Sequence, residues 1–257
     1  MFIDTHCHIN DGKYTSVDDV VNAYLSDNVS TVINMGCELN SSIDSKNLAE
    51  KYPSIYFACG VHPSDVDKVK DGDFDKIKAI ALHEKCVAIG EIGLDYYWPG
   101  YDKNKQIETF IYQLDLAYEL KLPVSIHCRD ATFDTLNILK ERKAKLAYGA
   151  VMHCYSGSVE TARDLLNMGV YIAFGGTLTF KNARKAVEVA SYVPNDFCLT
   201  ETDSPFLAPH PYRGTINEPK YVKVVTEFLA GIKNLETEKF ADIVMQNAKR
   251  LFYKIKK

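Results

Sequence analysis

The chain has 257 residues and a formal net charge of −4, with 46% hydrophobic and 25% charged residues. That balance is ordinary for a globular protein and excludes a broadly basic surface that coats nucleic acid, though not an enzyme that grips one phosphate at a time. No run of about 18 apolar residues signals a membrane span. The opening MFIDTHCHIN lacks the regions of a signal peptide, and seven scattered cysteines read as free thiols of a reducing cytosol, so a cytoplasmic location is expected.

Short β-branched runs alternate with amphipathic helical patterns along the whole chain. The first strand, FID at 2–4, leads into His6 and His8. Alternation on a strand sets both imidazoles on one face and turns Cys7 away. TVINM at 31–35 follows, then IYFAC at 55–59, which runs into GVHP with His62. VAIGE at 87–91 opens GEIGLDYYW, with Glu91 and Asp95. PVSIH at 123–127 ends on His127, with Arg129 just beyond. GAVMH at 149–153 ends on His153, VYIAF spans 170–174, and FCLTE at 197–201 runs into TETDSP with Glu201 and Asp203. Helices are predicted over 17–25, 42–51, 74–83, 103–120, 132–142, 158–168 and 183–192, with two more over 219–232 and 236–252. No repeat or linker divides the chain, so one domain over 1–257 is expected. Eight βα units in this length predict an α/β fold, a single closed (β/α)8 TIM barrel. An open doubly wound sheet is the alternative, but it would normally carry a glycine-rich loop after the first strand, and none is present.

In such a barrel the active site lies at the C-terminal ends of the strands. Five of the seven histidines fall at predicted strand ends. His210 lies in the loop after the last strand, and His83 reads as a surface residue on a helix. Imidazoles converging at one rim need a shared partner, and a metal centre supplies one. For His6 and His8 alone, a chance pair held by carboxylates is the competing account. Imidazole with carboxylate suits zinc, manganese, iron, cobalt or nickel. Four histidines and two carboxylates exceed the needs of one catalytic ion, so two ions sharing a bridging carboxylate are expected. Alternation turns Cys7, Cys128 and Cys154 away from this site toward the helices.

The motifs DTHCH, GVHP, GEIGLDYYW, PVSIHCRDA, MHCYSG and ETDSPFLAPHPYRG with NEP run from residue 2 to the closing NAKRLF. Together they resemble the TatD family of metal-dependent hydrolases, usually described as deoxyribonucleases. The resemblance implies an amidohydrolase-like barrel whose metal ligands are His6, His8, Glu91, His127, His153 and Asp203. It implies two divalent ions, with magnesium added to the zinc, manganese, nickel or cobalt above. Glu91 stands where many amidohydrolase relatives bridge their metals with a carboxylated lysine. The implied partner is DNA, cut at single-stranded ends; no membrane and no obligate protein partner are expected.

Roles follow for individual residues. Asp203 is expected to ligate metal and to take a proton from the attacking water. Glu201 shares its face as a second base or an orienting group, or else as a buried partner of a basic residue. Arg213 is expected to fork onto a substrate phosphate, with loop packing through Glu218 as the alternative. His62 donates to the same phosphate or fixes its own turn. Arg129 is expected to pair with a carboxylate and orient the site. Tyr96, Tyr97 and Trp98 stack on bases or, more commonly for barrel loops, pack on neighbouring loops. Three functions remain: a phosphodiesterase acting on DNA ends, a hydrolase of another ester or amide on a small molecule or acylated RNA, and a non-catalytic binding module. The complete ligand set disfavours the last.

Overall fold

A computed structural model of the chain describes residues 1–256. Eight strands pair in chain order: β1 (Phe2–Cys7), β2 (Val29–Met35), β3 (Ile55–Cys59), β4 (Cys86–Asp95), β5 (Val124–Arg129), β6 (Ala150–Met152), β7 (Val170–Phe174) and β8 (Cys198–Thr200). Every neighbouring pair is parallel. The sheet curls until its edges meet, where a parallel bridge joins Cys7 to Ser204. The His8 N–H donates to the Ser204 carbonyl at 2.7 Å, and the Asp203 N–H to the His6 carbonyl at 2.9 Å. The buried Asp4 carboxylate completes this seam, accepting from the backbone N–H groups of His6 (3.2 Å) and Thr202 (2.9 Å). The predicted barrel is therefore the observed fold.

Helices separate the strands: α1 (Val17–Ser26), α2 (Leu39–Lys51), α3 (Asp73–Ala81), α4 (Lys103–Leu120), α5 (Thr132–Glu141), α6 (Val159–Asn167) and α7 (Arg184–Tyr192), with α8 (Val222–Ile232) and α9 (Thr237–Leu251) after β8. Their apolar stripes close over the outside of the sheet, so residues such as Phe57, Phe110, Phe174 and Phe240 are fully buried. Each such side chain contributes roughly 1.5–3 kcal/mol by leaving water. Among the described residues no helix is long and apolar enough to cross a membrane.

Several boundaries differ from expectation for local reasons. α2 starts three residues early because Glu38 caps it, accepting from Ser41 N–H while the Ser41 hydroxyl meets the Glu38 N–H. β4 runs on to Asp95 through glycines that interrupt its apolar pattern. Gly93, with φ of 143°, is required there: a Cβ would sit 2.0 Å from the His127 carbonyl oxygen. α3 stops at Ala81, so His83 lies in the following turn. It is half-buried against Phe57, with Nε2 3.5 Å from Glu50, and is not the surface helix residue expected.

Candidate metal centre

The first nest forms where β1 meets the segment after β8. His6 lies on β1, His8 just past its end, and Asp203 follows β8 with φ of 56°. Aspartate tolerates this left-handed conformation better than most residues. His6 Nε2 and His8 Nε2 are 3.2 Å apart. Glu91 Oε2 lies 3.4 Å from the first and 3.7 Å from the second. Asp203 Oδ1 lies 3.7 and 3.5 Å from the same two atoms. A tetrahedron of donors about 2.1 Å from one ion has edges of roughly 3.4 Å. The two imidazole nitrogens stand at that spacing from each other and from both carboxylate oxygens.

The second nest uses the other oxygen of the same carboxylate. Glu91 Oε1 is 2.8 Å from His127 Nδ1 and 2.8 Å from His153 Nε2, and these nitrogens are 3.2 Å from each other. Glu91 comes from β4, His127 from β5, and His153 directly follows β6. The β4–β5 register pairs Gly93 with His127, which sets Glu91 and Asp95 on either side of the imidazole.

Outer partners fix most of the rings. Asp95 Oδ2 meets His127 Nε2 at 3.0 Å. Glu201 Oε1 lies 3.4 Å from His153 Nδ1, an ion-pair distance without hydrogen-bond alignment, and accepts the Cys154 N–H at 2.5 Å. Cys37 Sγ is 3.8 Å from His8 Nδ1. His6 Nδ1 is buried without a partner, and its ring is placed instead by stacking on His153 with centroids 3.9 Å apart. Such outer contacts orient metal-binding imidazoles.

The electrostatics fit a cationic guest. Glu91 is 3% exposed, and among the described residues no lysine or arginine pairs with it or with Asp203. Buried anions without a cation are unfavourable. Burial alone would raise the Glu91 carboxyl, but His153 and His6 outweigh it and hold it well below the usual range. Burial would lower His153, but Glu91 and Glu201 raise it well above its ordinary value; for His127, Asp95 and Glu91 likewise outweigh burial. The donors form overlapping clusters, chiefly of imidazole nitrogen and carboxylate oxygen with Cys37 sulfur at the edge of one, and the nitrogen and oxygen donors suit borderline and hard divalent ions.

All six ligand candidates therefore meet at one rim, and with His62 all but the deeply buried His6 line a cavity of about 580 Å³. His62 Nδ1 accepts the Ser64 N–H at 3.1 Å, which leaves the proton on Nε2, 3.7 Å from Glu91 Oε1. Burial lowers its pKa to about 3, so the ring is a neutral donor. Other expectations change. Glu201 sits behind His153, off the cavity, with no lysine or arginine partner among the described residues. Arg129 pairs with no carboxylate among the described residues; its guanidinium lies 3.7 Å over the Tyr97 ring, because the strand ends there and the side chain turns to the mouth. Arg213 is exposed, 4.3 Å over Phe180, and does not line the cavity. Its alternative partner Glu218 pairs with Lys220 instead. Tyr96 packs as expected, donating to Asp134, but Tyr97 and Trp98 are 50% and 52% exposed. Cys7 and Cys128 face the helix side, and Cys154 is off the cavity although its φ of 42° breaks strand alternation. Cys37, which the sequence analysis does not single out, lies just past β2 and lines the cavity; like β7, that strand ends in neither histidine nor carboxylate.

A parallel barrel carrying such a histidine–carboxylate nest at its C-terminal rim is a metal-dependent hydrolase. The chain belongs to the TatD family: residues 3–253 match the family model described as TatD related DNase. It is 46% identical over 253 residues to the Bacillus subtilis protein YabD, described as an uncharacterized metal-dependent hydrolase, covering 98% of this chain and 99% of that one. Among solved structures, the TatD homolog YJJV from Escherichia coli superimposes with a TM-score of 0.89 at 29% identity, covering 98% of both chains. An uncharacterized amidohydrolase from Saccharomyces cerevisiae shares the fold, with a TM-score of 0.81 at 17% identity and coverage of 98% and 99%.

Proposed function

We propose that this hydrolase is a two-metal phosphodiesterase that acts on DNA, at single-stranded ends. The observation that carries the reading is Glu91, which presents one oxygen to His6 and His8 and the other to His127 and His153. When bound, divalent ions supply Lewis acidity, which acidifies water and neutralises charge on a phosphate. His6, His8, Glu91 and Asp203 would hold one ion, and Glu91, His127 and His153 the other. Asp203 gives Oδ1 to the two histidines, and its second oxygen accepts the proton lost by the attacking water. His62 Nε2–H donates to a non-bridging phosphate oxygen and, being neutral, does so across ordinary pH. Asp95 and Glu201 hold the rings of His127 and His153 in register. A cavity of about 580 Å³ suits a ligand-sized group and not a duplex, which supports an end as the substrate.

The test is release of label from end-labelled single-stranded DNA by metal-loaded protein, before and after chelation. Chelator-sensitive release that is restored by added manganese or zinc is expected. A loaded protein that leaves DNA and bis(p-nitrophenyl) phosphate intact while cleaving a phosphate-free ester contradicts the reading.

A further inference from the structure

We propose that Arg129, Tyr97 and Trp98 form a nucleotide subsite at the mouth of the cavity, taking a phosphate on the guanidinium and a base on the indole. The inference deepens the phosphodiesterase reading and rests on it for the chemistry of the substrate.

Arg129 is the last residue of β5, directly above the ligand strand, and it lines the cavity. Its side chain is exposed but not free to wander. The guanidinium lies 3.7 Å over Tyr97 and 5.6 Å from the Trp98 centroid. Stacking uses one face of the plane and leaves its edge of N–H donors open, and no carboxylate among the described residues takes them. Tyr97 and Trp98 meet edge to face at 4.8 Å. Trp98 also lines the cavity, although half of its surface is in water.

The loop that carries these rings is tied to the metal nest. Asp95 uses Oδ2 on His127 and Oδ1 to accept the Tyr97 N–H at 3.0 Å. The Tyr96 N–H donates to the Arg129 carbonyl at 2.9 Å. Gln106 from α4 brackets Asp95, accepting its N–H and donating to its carbonyl, both at 2.9 Å. One carboxylate thus links the catalytic histidine to the aromatic platform, so the platform stands at a fixed place beside the reacting centre. An unpaired planar cation next to an exposed indole matches a nucleotide, which offers an anion and an aromatic face together.

Trp98 is the single tryptophan in the chain, so intrinsic fluorescence reports this site without any turnover. The probes are thymidine 5′-monophosphate, thymidine and inorganic phosphate, titrated into metal-loaded and chelator-treated protein. The monophosphate should quench Trp98 saturably and bind roughly 10-fold or more tighter than thymidine. That margin should persist after chelation and vanish in Arg129→Ala. Arg129→Lys should restore part of it, since lysine keeps the charge and loses the fork. Equal affinities for the two probes in chelated native protein, an unchanged margin in Arg129→Ala, or no quenching would overturn the subsite. Should Arg129→Ala fail to fold, Arg129→Lys and Tyr97→Ala carry the same comparison. Hydrolysis of bis(p-nitrophenyl) phosphate, run in parallel, separates the two readings. Turnover without the Arg129-dependent margin removes the subsite alone; the margin without any phosphodiester turnover removes the proposed reaction and leaves a nucleotide site.

Discussion

The metal nest and the mouth above it are built on opposite terms. In the nest, every candidate ligand stands on a strand or within a few residues of its end, and all but one of the rings have Asp95, Glu201 or Cys37 behind them. At the mouth, Arg129, Tyr97, Trp98 and Phe206 sit on a strand tip and loops, exposed, and held largely by cation–π and edge contacts. Donors meant for a compact ion need fixed spacing, which a barrel seam supplies. Groups meant for a larger, softer substrate need reach. On the proposed function, the reaction would belong to the nest and the choice of substrate to the mouth, two separately constrained parts of one rim.

The comparison breaks most visibly at Glu91. Glu91→Ala removes an oxygen from each nest at once, so bound metal should fall at both and turnover should drop by at least roughly 1000-fold. Elemental analysis alongside a turnover assay checks this; a fully loaded, active Glu91→Ala protein contradicts the shared carboxylate. Asp95→Asn is the milder cut from behind. It keeps the shape, loses the charge on His127 and should weaken metal affinity or activity by roughly 10- to 100-fold, seen by metal titration.

A pH series sharpens the same contrast. His127 and His153 have pKa values raised in the chelated fold. Their contribution to stability is therefore complete below the unfolded histidine value of about 6.5 and is lost as pH rises through the folded values. Chelated protein should melt at lower temperature as pH rises through that range, whereas metal, which replaces the protons, should bind more tightly by about 10-fold per pH unit for each proton displaced. Opposite slopes in the two melting series are the expected outcome, and parallel slopes would deny that the imidazoles are the ligands. The smallest effect is expected at Arg213. It lies off the cavity on Phe180, so Arg213→Ala should change kcat/KM by no more than about 2-fold, the scale of an ordinary surface substitution. A loss near 100-fold would place that loop over the substrate during turnover.

Legibility in the sequence followed the same division. Period-2 alternation fixes where a strand residue points, so His6, His8, His127 and Asp203 could be assigned to one rim from spacing and motif. β4 was harder to bound because its glycines erase the apolar pattern where close packing on His127 demands them. Cys37 escaped attention because its strand ends in no histidine or carboxylate. The positions of Arg129 and Arg213 over aromatic rings were not legible for a different reason: beyond a strand, side-chain direction depends on loop torsions and on which aromatic ring is near, and neither leaves a periodic trace.

One carboxylate shared by two ions underlies the proposed chemistry. Loading the protein with manganese(II) and recording its electron paramagnetic resonance spectrum tests it directly. Two ions per chain bridged by Glu91, about 3.5–4 Å apart, should give a spin-coupled signal. A single uncoupled manganese ion per chain at saturation would rule out the shared carboxylate.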